Sequence, residues 1–235
     1  MAQSIKIVAI IPARGGSKGV PRKNIRQVAG RPLITWSILC AKASSVLDRI
    51  IVSTDDEEIA QVAKKAGAEV PFMRPASLAT DTSSGMAPME HALQWLQKHE
   101  GYEPDWLMCL QPTSPLRTPQ DIDGAVELAR EKNALSVVSV TEAKDHPLWC
   151  KRMDEEGRLE SFQKASPAVT RRQDLPKVWA LNGAIYLAHR QMILDEKTWY
   201  GPRTYGFEMP KERSLDIDSW WDLHLADLIL RDRKL

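Results

Sequence analysis

The chain predicts an α/β domain on a mostly parallel sheet. The stretch Ile5–Ile11 is nearly all apolar and of strand length, as suits a strand buried on both faces. From there to Met73 the pattern alternates strand, helix, strand, helix, strand, as in a parallel sheet with crossover helices. Polar loops rich in glycine or proline follow the apolar runs. These are the carboxyl ends of strands, where open α/β sheets hold their ligands.

Each element has its own signal. Pro12 ends the first strand. Asn24–Gly30 reads as a short extended bridge. Pro32 is placed to open a helix at its first turn, with Leu33, Ile34, Ile38, Leu39 and Ala43 as the buried stripe. Arg49–Thr54 is a second buried strand. Asp56 is set to cap a helix over Glu57–Ala66, while Asp55 is open between capping and holding a ligand. Gly67 closes that helix, and Glu69–Met73 reads as a third strand. A polar loop, Arg74–Thr82, leads to a helix capped by Thr82 or Ser83, with Met86, Met89, Ala92, Leu93 and Leu96 inward. His91 in that helix reads first as structural.

Asp105–Gln111 is the next buried strand, followed by a stiff loop, Pro112–Arg117. Thr118 or Pro119 begins a helix over Asp121–Glu131, and Leu135–Val140 is another strand. From 141 to 177 the chain is polar and irregular, with isolated Trp149, Met153, Leu159 and Phe162 and a hairpin turning at Glu156-Gly157. This reads as an inserted arm within one domain of residues 1–235. Its apolar residues lack a core of their own and suit packing on another subunit; the alternative is a lid folded on its own subunit. Trp179–His189 returns as a strand, interrupted at Asn182-Gly183 where a glycine permits close backbone approach to a ligand. Arg203–Met209 is a short strand. Ser219 caps a final helix, Trp220–Leu230, with its apolar residues inward and His224 as a helix-surface or packing residue.

Bulk properties exclude several classes. The hydrophobic share of 43% and charged share of 27% are those of a soluble globular domain. Formal charge is +1, which argues against a nucleic-acid-binding face. Cys40, Cys109 and Cys150 form no CxxC pair, so no zinc site is expected, and a reducing compartment fits them. No run approaches the ~20 apolar residues of a membrane helix, and no signal peptide is legible. The expected location is cytoplasmic.

The chemistry concentrates in two places. Between Pro12 and Asn24, Gly15, Gly16 and Gly19 allow a sharp turn with exposed N–H groups, and Arg14, Lys18, Arg22 and Lys23 charge it positively. An anion, with phosphate as first choice, is the natural guest. The order Ser17-Lys18-Gly19 is not a Walker loop, and the spacing is not GxGxxG. Near the other end, Asp216 and Asp218 stand two apart, so a strand would put both carboxylates on one side. Opposite a phosphate loop they suit a hard divalent cation such as magnesium.

The motifs P-A-R-G-G-S-K-G-V-P-R-K-N, V-S-T-D-D, R-P-A-S-L-A-T-D, Q-P-T-S-P-L-R, N-G-A-I-Y and D-I-D, in that order, resemble those of the acylneuraminate cytidylyltransferases. That family includes CMP-sialic acid synthetases and bacterial relatives that activate legionaminic or pseudaminic acid. The resemblance runs from about Lys6 to Leu230. It implies a Rossmann-like nucleotidyltransferase fold and a homodimer whose arm reaches the partner's cleft. It implies transfer of CMP from CTP to the anomeric 2-hydroxyl of a nine-carbon 2-keto sugar acid, with Mg2+ held by Asp216 and Asp218. By the same resemblance Ala13, Gly15, Ser17, Asn24, Arg74, Ala79, Asp81 and Thr82 form the cytidine side. Arg14, Lys18 and Lys23 handle the triphosphate. Gln111, Arg172, Asn182 and Tyr186 meet the sugar acid, with Arg172 or Arg171 as carboxylate clamp and Phe207 as the nearby aromatic. The stretch His146–Cys150 departs from sialic-type members and points towards a legionaminic-type sugar. Either Asp216 or a metal-bound hydroxide would accept the hydroxyl proton. The rivals are an eight-carbon 3-deoxy-manno-octulosonate enzyme, which shares only the IPAR opening, and a binding module that has lost catalysis, which intact Asp216 and Asp218 oppose.

Overall fold

The apolar run near the start of the chain becomes β1 (Ile7–Pro12), an inner strand whose residues from Ile7 to Ile11 are at most 1% exposed. Alternation sends its side chains to two opposite layers. Ile7, Ala9 and Ile11 pack with Ile34 and Ile38 of α1 (Leu33–Lys42) and with Ile122 and Ala125 of α4 (Pro119–Glu131). Val8 and Ile10 pack with Met89, Leu93 and Leu96 of α3 (Ala87–Glu100). Each Val, Ile, Leu or Met side chain among these contributes about 1.5–3 kcal/mol by its burial. The computed structural model describes residues 5–80, 83–162 and 171–233.

The remaining strands are β2 (Gln27–Val28), β3 (Arg31–Pro32), β4 (Arg49–Ser53), β5 (Trp106–Cys109), β6 (Ser136–Glu142), β7 (Lys151–Met153), β8 (Leu159–Ser161), β9 (Trp179–His189) and β10 (Thr204–Glu208). The main sheet has the order β10-β6-β9-β5-β1-β4. β4 and β5 flank β1 in parallel, and β10 runs parallel to β6. β9 is antiparallel to both β5 and β6. The carboxyl ends of β1, β4 and β5 therefore open on one edge, where the long polar loops lie.

Several local signals hold as read. Asp56 caps α2 (Glu57–Ala66) by accepting from the Ile59 N–H at 3.0 Å, and Gly67 closes it at φ 92°. Thr118 with Asp121, and Ser219 with Asp222, form capping boxes at α4 and α5 (Trp220–Asp232). Residues 151–161 form the antiparallel hairpin β7–β8, turning through Gly157 at φ 84°.

Other elements differ from expectation. Glu69–Met73 is not a strand: Glu69 makes one parallel bridge to Ile51, and Pro71, which has no N–H, cannot extend the ladder. Asn24–Gly30 is not plainly extended. It holds a 3-10 turn over Lys23–Ile25 and the first arm of the β2–β3 hairpin, with Ala29 and Gly30 at positive φ. α3 starts later than its predicted cap, with Met86 at the N-cap position. On α5 only Leu223, Ala226 and Leu230 are buried; Trp220 and Leu228 are half exposed. In α1, Trp36 joins the core and Ala43 faces solvent. Cys40 and Cys109 are buried and Cys150 is exposed, all three as free thiols.

Candidate active site

The carboxyl ends of β1 and β5 and the segment before α3 enclose a cleft of about 380 Å3, lined by Pro12, Arg14, Gly16, Ser17, Lys23, Asn24, Arg74, Gln111, Pro112 and Thr113. A smaller recess of about 210 Å3 adjoins it. Arg14 and Arg74 line both, and Leu78, Ala79, Thr80, Ser83, Ser84, Gly85 and Pro88 complete the recess. Three larger hollows, one beside His146 and Pro176, one at the opposite sheet end beside Trp106 and His189, and one on α5 beside Leu228 and Arg231, include no residue of the glycine-rich turn or of 216–218. Chemistry, not volume, selects the site.

The glycine loop is fastened from several sides. The Ala13 N–H donates to the Ser53 carbonyl at 2.9 Å, and the Gly15 N–H donates to Asp55 Oδ1 at 3.0 Å. Buried Asn24 donates to the Arg14 carbonyl at 3.0 Å. Arg22, at φ 55°, pairs with Asp56 and Glu58. Burial would raise the Asp56 carboxyl, but Arg22 and the Ile59 N–H hold it below the usual carboxylate range. A Cβ on Gly15 would sit 2.8 Å from Asp56 Oδ2, and one on Gly19 would collide with the Asp218 carbonyl. Both glycines are required by close approach rather than by a positive φ. Lys18 is exposed on the loop.

The acidic segment faces this loop. The Ile217 N–H donates to the Thr113 carbonyl at 2.9 Å, which ties residues 216–218 to the cleft wall. Lys23 donates to the Ile217 carbonyl and lies 3.5 Å from Asp218 Oδ1. Asp216 Oδ1 is buried with no hydrogen-bond partner. Burial raises the Asp216 pKa, the charges of Asp218 and Asp222 add to the rise, and the Thr113 hydroxyl and Lys23 oppose it. Asp218 is open to solvent, its side chain 82% exposed. Among the described residues no cluster of three or more His, Cys, Asp or Glu is placed to hold a metal.

On the third side stands Gln111, whereas Tyr186 is not part of the cleft lining and packs against Trp199, ring centroids 5.4 Å apart, in the core layer under α3. Gln111 Oε1 and Asp216 Oδ2 both approach Gly183, which has φ 72°. Burial pushes the Tyr186 phenol up to about 12, with Asp216 among the charges that contribute. Asn182 lies apart from the cleft. Its Oδ1 accepts from Ser139 and the Ala184 N–H, and its Nδ2 donates to Ser214, so the buried amide braces the fold. It holds an irregularity in the β6–β9 pairing where Ser139 faces residues 182–185. Arg171 pairs with Asp174, and Phe207 packs towards Gly124 of α4, away from the cleft. The Arg172 side chain and residues Asp81 and Thr82 lie outside the described parts of the structure.

Three further contributors have no site role assigned from the sequence. Thr113 supports the acidic segment. Buried Arg117 donates to the Ala184 carbonyl at 2.5 Å and to Ser37 at 2.9 Å, pinning the irregular part of β9. Asp55 joins the glycine loop to Arg74, 3.4 Å away. The last had a signal, as the aspartate left over once Asp56 is assigned to the cap.

Comparison with known proteins gives a consistent result. A family model described as cytidylyltransferase matches residues 8–226. The chain is 37% identical over 227 residues to CMP-N,N'-diacetyllegionaminic acid synthase of Legionella pneumophila, covering 96% of this chain and 97% of that protein. It is 34% identical to a pseudaminic acid cytidylyltransferase of Campylobacter jejuni, covering 97% of each. Among solved structures, a CMP:2-keto-3-deoxy-manno-octonic acid synthetase complexed with CTP superposes with a TM-score of 0.73 at 18% identity, over 97% of this chain and 99% of that one. At that identity the likeness speaks for the fold, which is that of Rossmann-like nucleotidyltransferases.

Proposed function

The chain belongs to the cytidylyltransferase family and is a nucleotidyltransferase, and from that premise we propose that it joins CMP from CTP to the anomeric 2-hydroxyl of a nine-carbon 2-keto sugar acid. The observation that carries this reading is the cationic glycine loop lying against the 216–218 segment, where Lys23 reaches the Ile217 carbonyl and Asp216 keeps a buried carboxylate oxygen, in a chain similar over nearly its whole length to nonulosonic-acid enzymes. A legionaminic-type acid is the first choice of sugar, since the legionaminic relative shares 37% identity against 34% for the pseudaminic one.

In this reading the smaller recess takes the cytosine and ribose and the main cleft takes the phosphates. The loop N–H groups and Arg14, Lys18 and Lys23 bind the triphosphate with charge-assisted hydrogen bonds. Gln111 orients the sugar acid. Arg172 remains the proposed carboxylate clamp. The sugar hydroxyl oxygen forms a bond to the α-phosphorus as the bond to the α,β-bridging oxygen breaks, its proton passes to the Asp216 carboxylate, and pyrophosphate leaves with the electron pair. The chain contributes position and fixed positive charge at the developing oxyanions.

Asp216 and Asp218 fit a magnesium ion. The buried, unpartnered Asp216 Oδ1 is a ligand atom with no other use in the fold. Two protein carboxylates are enough for magnesium, which keeps waters and phosphate oxygens in its remaining positions. When bound, the cation supplies charge neutralisation at the phosphates.

The exposed apolar side chains of the arm, Met153 at 72%, Leu159 at 67% and Phe162 at 53%, support a homodimer that covers them. Among the described residues no helix is long and apolar enough to cross a membrane. The test of the reaction is an omission series. Pyrophosphate should appear only when CTP, magnesium and the sugar acid are all present; release without the sugar acid at the same rate would mean hydrolysis of CTP and overturn the proposal.

A further inference from the structure

We infer that Asp55 is a positioning residue for the nucleotide: it holds Arg74 and the glycine loop at a fixed separation, so that the two halves of the nucleotide site bind as one. The inference rests on the functional reading above and adds a residue to it.

The geometry points to the carboxyl end of β4 as a splint. Three consecutive residues there each hold part of the nucleotide cleft. The Ser53 carbonyl accepts from the Ala13 N–H at 2.9 Å, and the Thr54 carbonyl accepts from the Arg74 N–H at 2.7 Å. Asp55 Oδ1 accepts from both sides at once, from the Gly15 N–H at 3.0 Å and from Arg74 Nη2 at 3.4 Å. The first two contacts are backbone to backbone and any sequence would make them. The third needs a carboxylate.

Charge explains why. Arg74 is 5% exposed, and Arg14, another cation, lines the same cleft and recess. A buried guanidinium without a counter-ion is costly, and a second cation nearby increases the cost. Asp55 is the carboxylate in contact with Arg74 among the described residues. Arg74 also keeps a buried Nε with no partner, so one donor remains while Asp55 occupies another. Asp55 has no place on the cleft wall itself, whereas Arg74 and Arg14 do. It acts through Arg74 and the loop and is not expected to touch the reacting atoms. Asp56 next to it has a different task, since it caps α2 and pairs with Arg22.

The test uses Asp55→Asn, which keeps an oxygen for the Gly15 N–H and removes the charge facing Arg74. CTP binding is measured by calorimetry without sugar acid, and KM and kcat are measured with it. The expected result is a 10- to 100-fold weaker CTP affinity, the scale of one charge-assisted hydrogen bond. The same rise is expected in KM for CTP, with kcat and the KM for the sugar acid within about threefold of the parent. Because Arg74 carries the effect, Asp55→Asn placed on Arg74→Gln should cost less than threefold more. A merely structural Asp55 would lower the melting temperature and leave this coupling at zero. CTP affinity unchanged in Asp55→Asn, or two substitutions whose effects simply multiply, overturns the inference while leaving the functional reading intact. A parent protein that binds no CTP overturns both.

Discussion

Asp216 concentrates the chemistry at the scale of a single residue. Its burial raises its pKa, so the folded chain holds that proton more readily than the unfolded chain does. The sign of the linkage follows: above the folded pKa the ionised carboxylate lowers stability, and that cost is relieved as pH falls through it. Asp216→Asn should therefore fold with an equal or higher melting temperature, yet lose on the order of 1000-fold in turnover, the scale of a lost electrostatic contact in a transition state. Protons also compete with the proposed cation. The magnesium concentration for half-maximal rate should rise on acidification, starting at a higher pH than an ordinary carboxylate would give; a flat requirement would contradict the assignment. At Gly19 the claim is steric. Gly19→Ala must push the loop off the Asp218 carbonyl, and a displacement near 1 Å costs about 100-fold in rate. An active Gly19→Ala enzyme would show that the loop has slack there. A paired carboxylate and a glycine-rich cationic turn at a strand end stand out in a sequence because few roles suit either, and the fold sets the two segments together, with Gly19 and Lys23 against Asp218. The brace made by Asn182 does not stand out: an amide within a strand reads equally as a ligand group or a brace, and its partners, Ser139 and Ser214, lie far away in sequence.

At the scale of elements, the joint between α4 and the acidic segment matters most. Asp121, 2% exposed, accepts from Arg213 at 2.7 and 3.0 Å and from Thr118 at 2.8 Å. Burial alone would raise its pKa, but Arg213 and Thr118 hold it below the usual range. This contribution is fully present above the ordinary carboxylate pKa and is lost as pH falls through the depressed one. Asp121→Ala should cost about 3 kcal/mol in urea unfolding at pH 7, the low end for breaking a buried pair, because Arg213 is partly exposed. The deficit should shrink at strongly acidic pH, and a constant deficit would mean that lost packing dominates. The caps of α2, α4 and α5 were read well because their signals are local: Asp56, Thr118 and Ser219 each act within three residues, whereas α3 starts after Met86 with no side-chain cap to read. Glu69–Met73 failed for the opposite reason. Strand pairing depends on a neighbour's ladder, and Pro71 ends it after one bridge. The exposed Trp220 and Leu228 on α5 show the same limit, since periodicity proposes a buried face that only packing can supply.

At the scale of the whole molecule, the arm and the substrate remain to be tested together. Replacing Met153, Leu159 and Phe162 with Ser should convert a dimer into a monomer by light scattering; a parent chain that is already monomeric would remove the dimer from the picture. The sheet order, with β9 antiparallel in a parallel surround, was not legible, although every strand in it was. Pairing partners are set by long-range packing that no local pattern carries. The measurement that tests the central claim most directly is pyrophosphate release with CTP and magnesium across a panel of sugar acids: di-N-acetyllegionaminic acid, pseudaminic acid, N-acetylneuraminic acid and 3-deoxy-manno-octulosonate. The predicted result is a kcat/KM highest for a nine-carbon acid, with the legionaminic compound first. Turnover of the eight-carbon acid alone, or of none while CTP still binds, would contradict it.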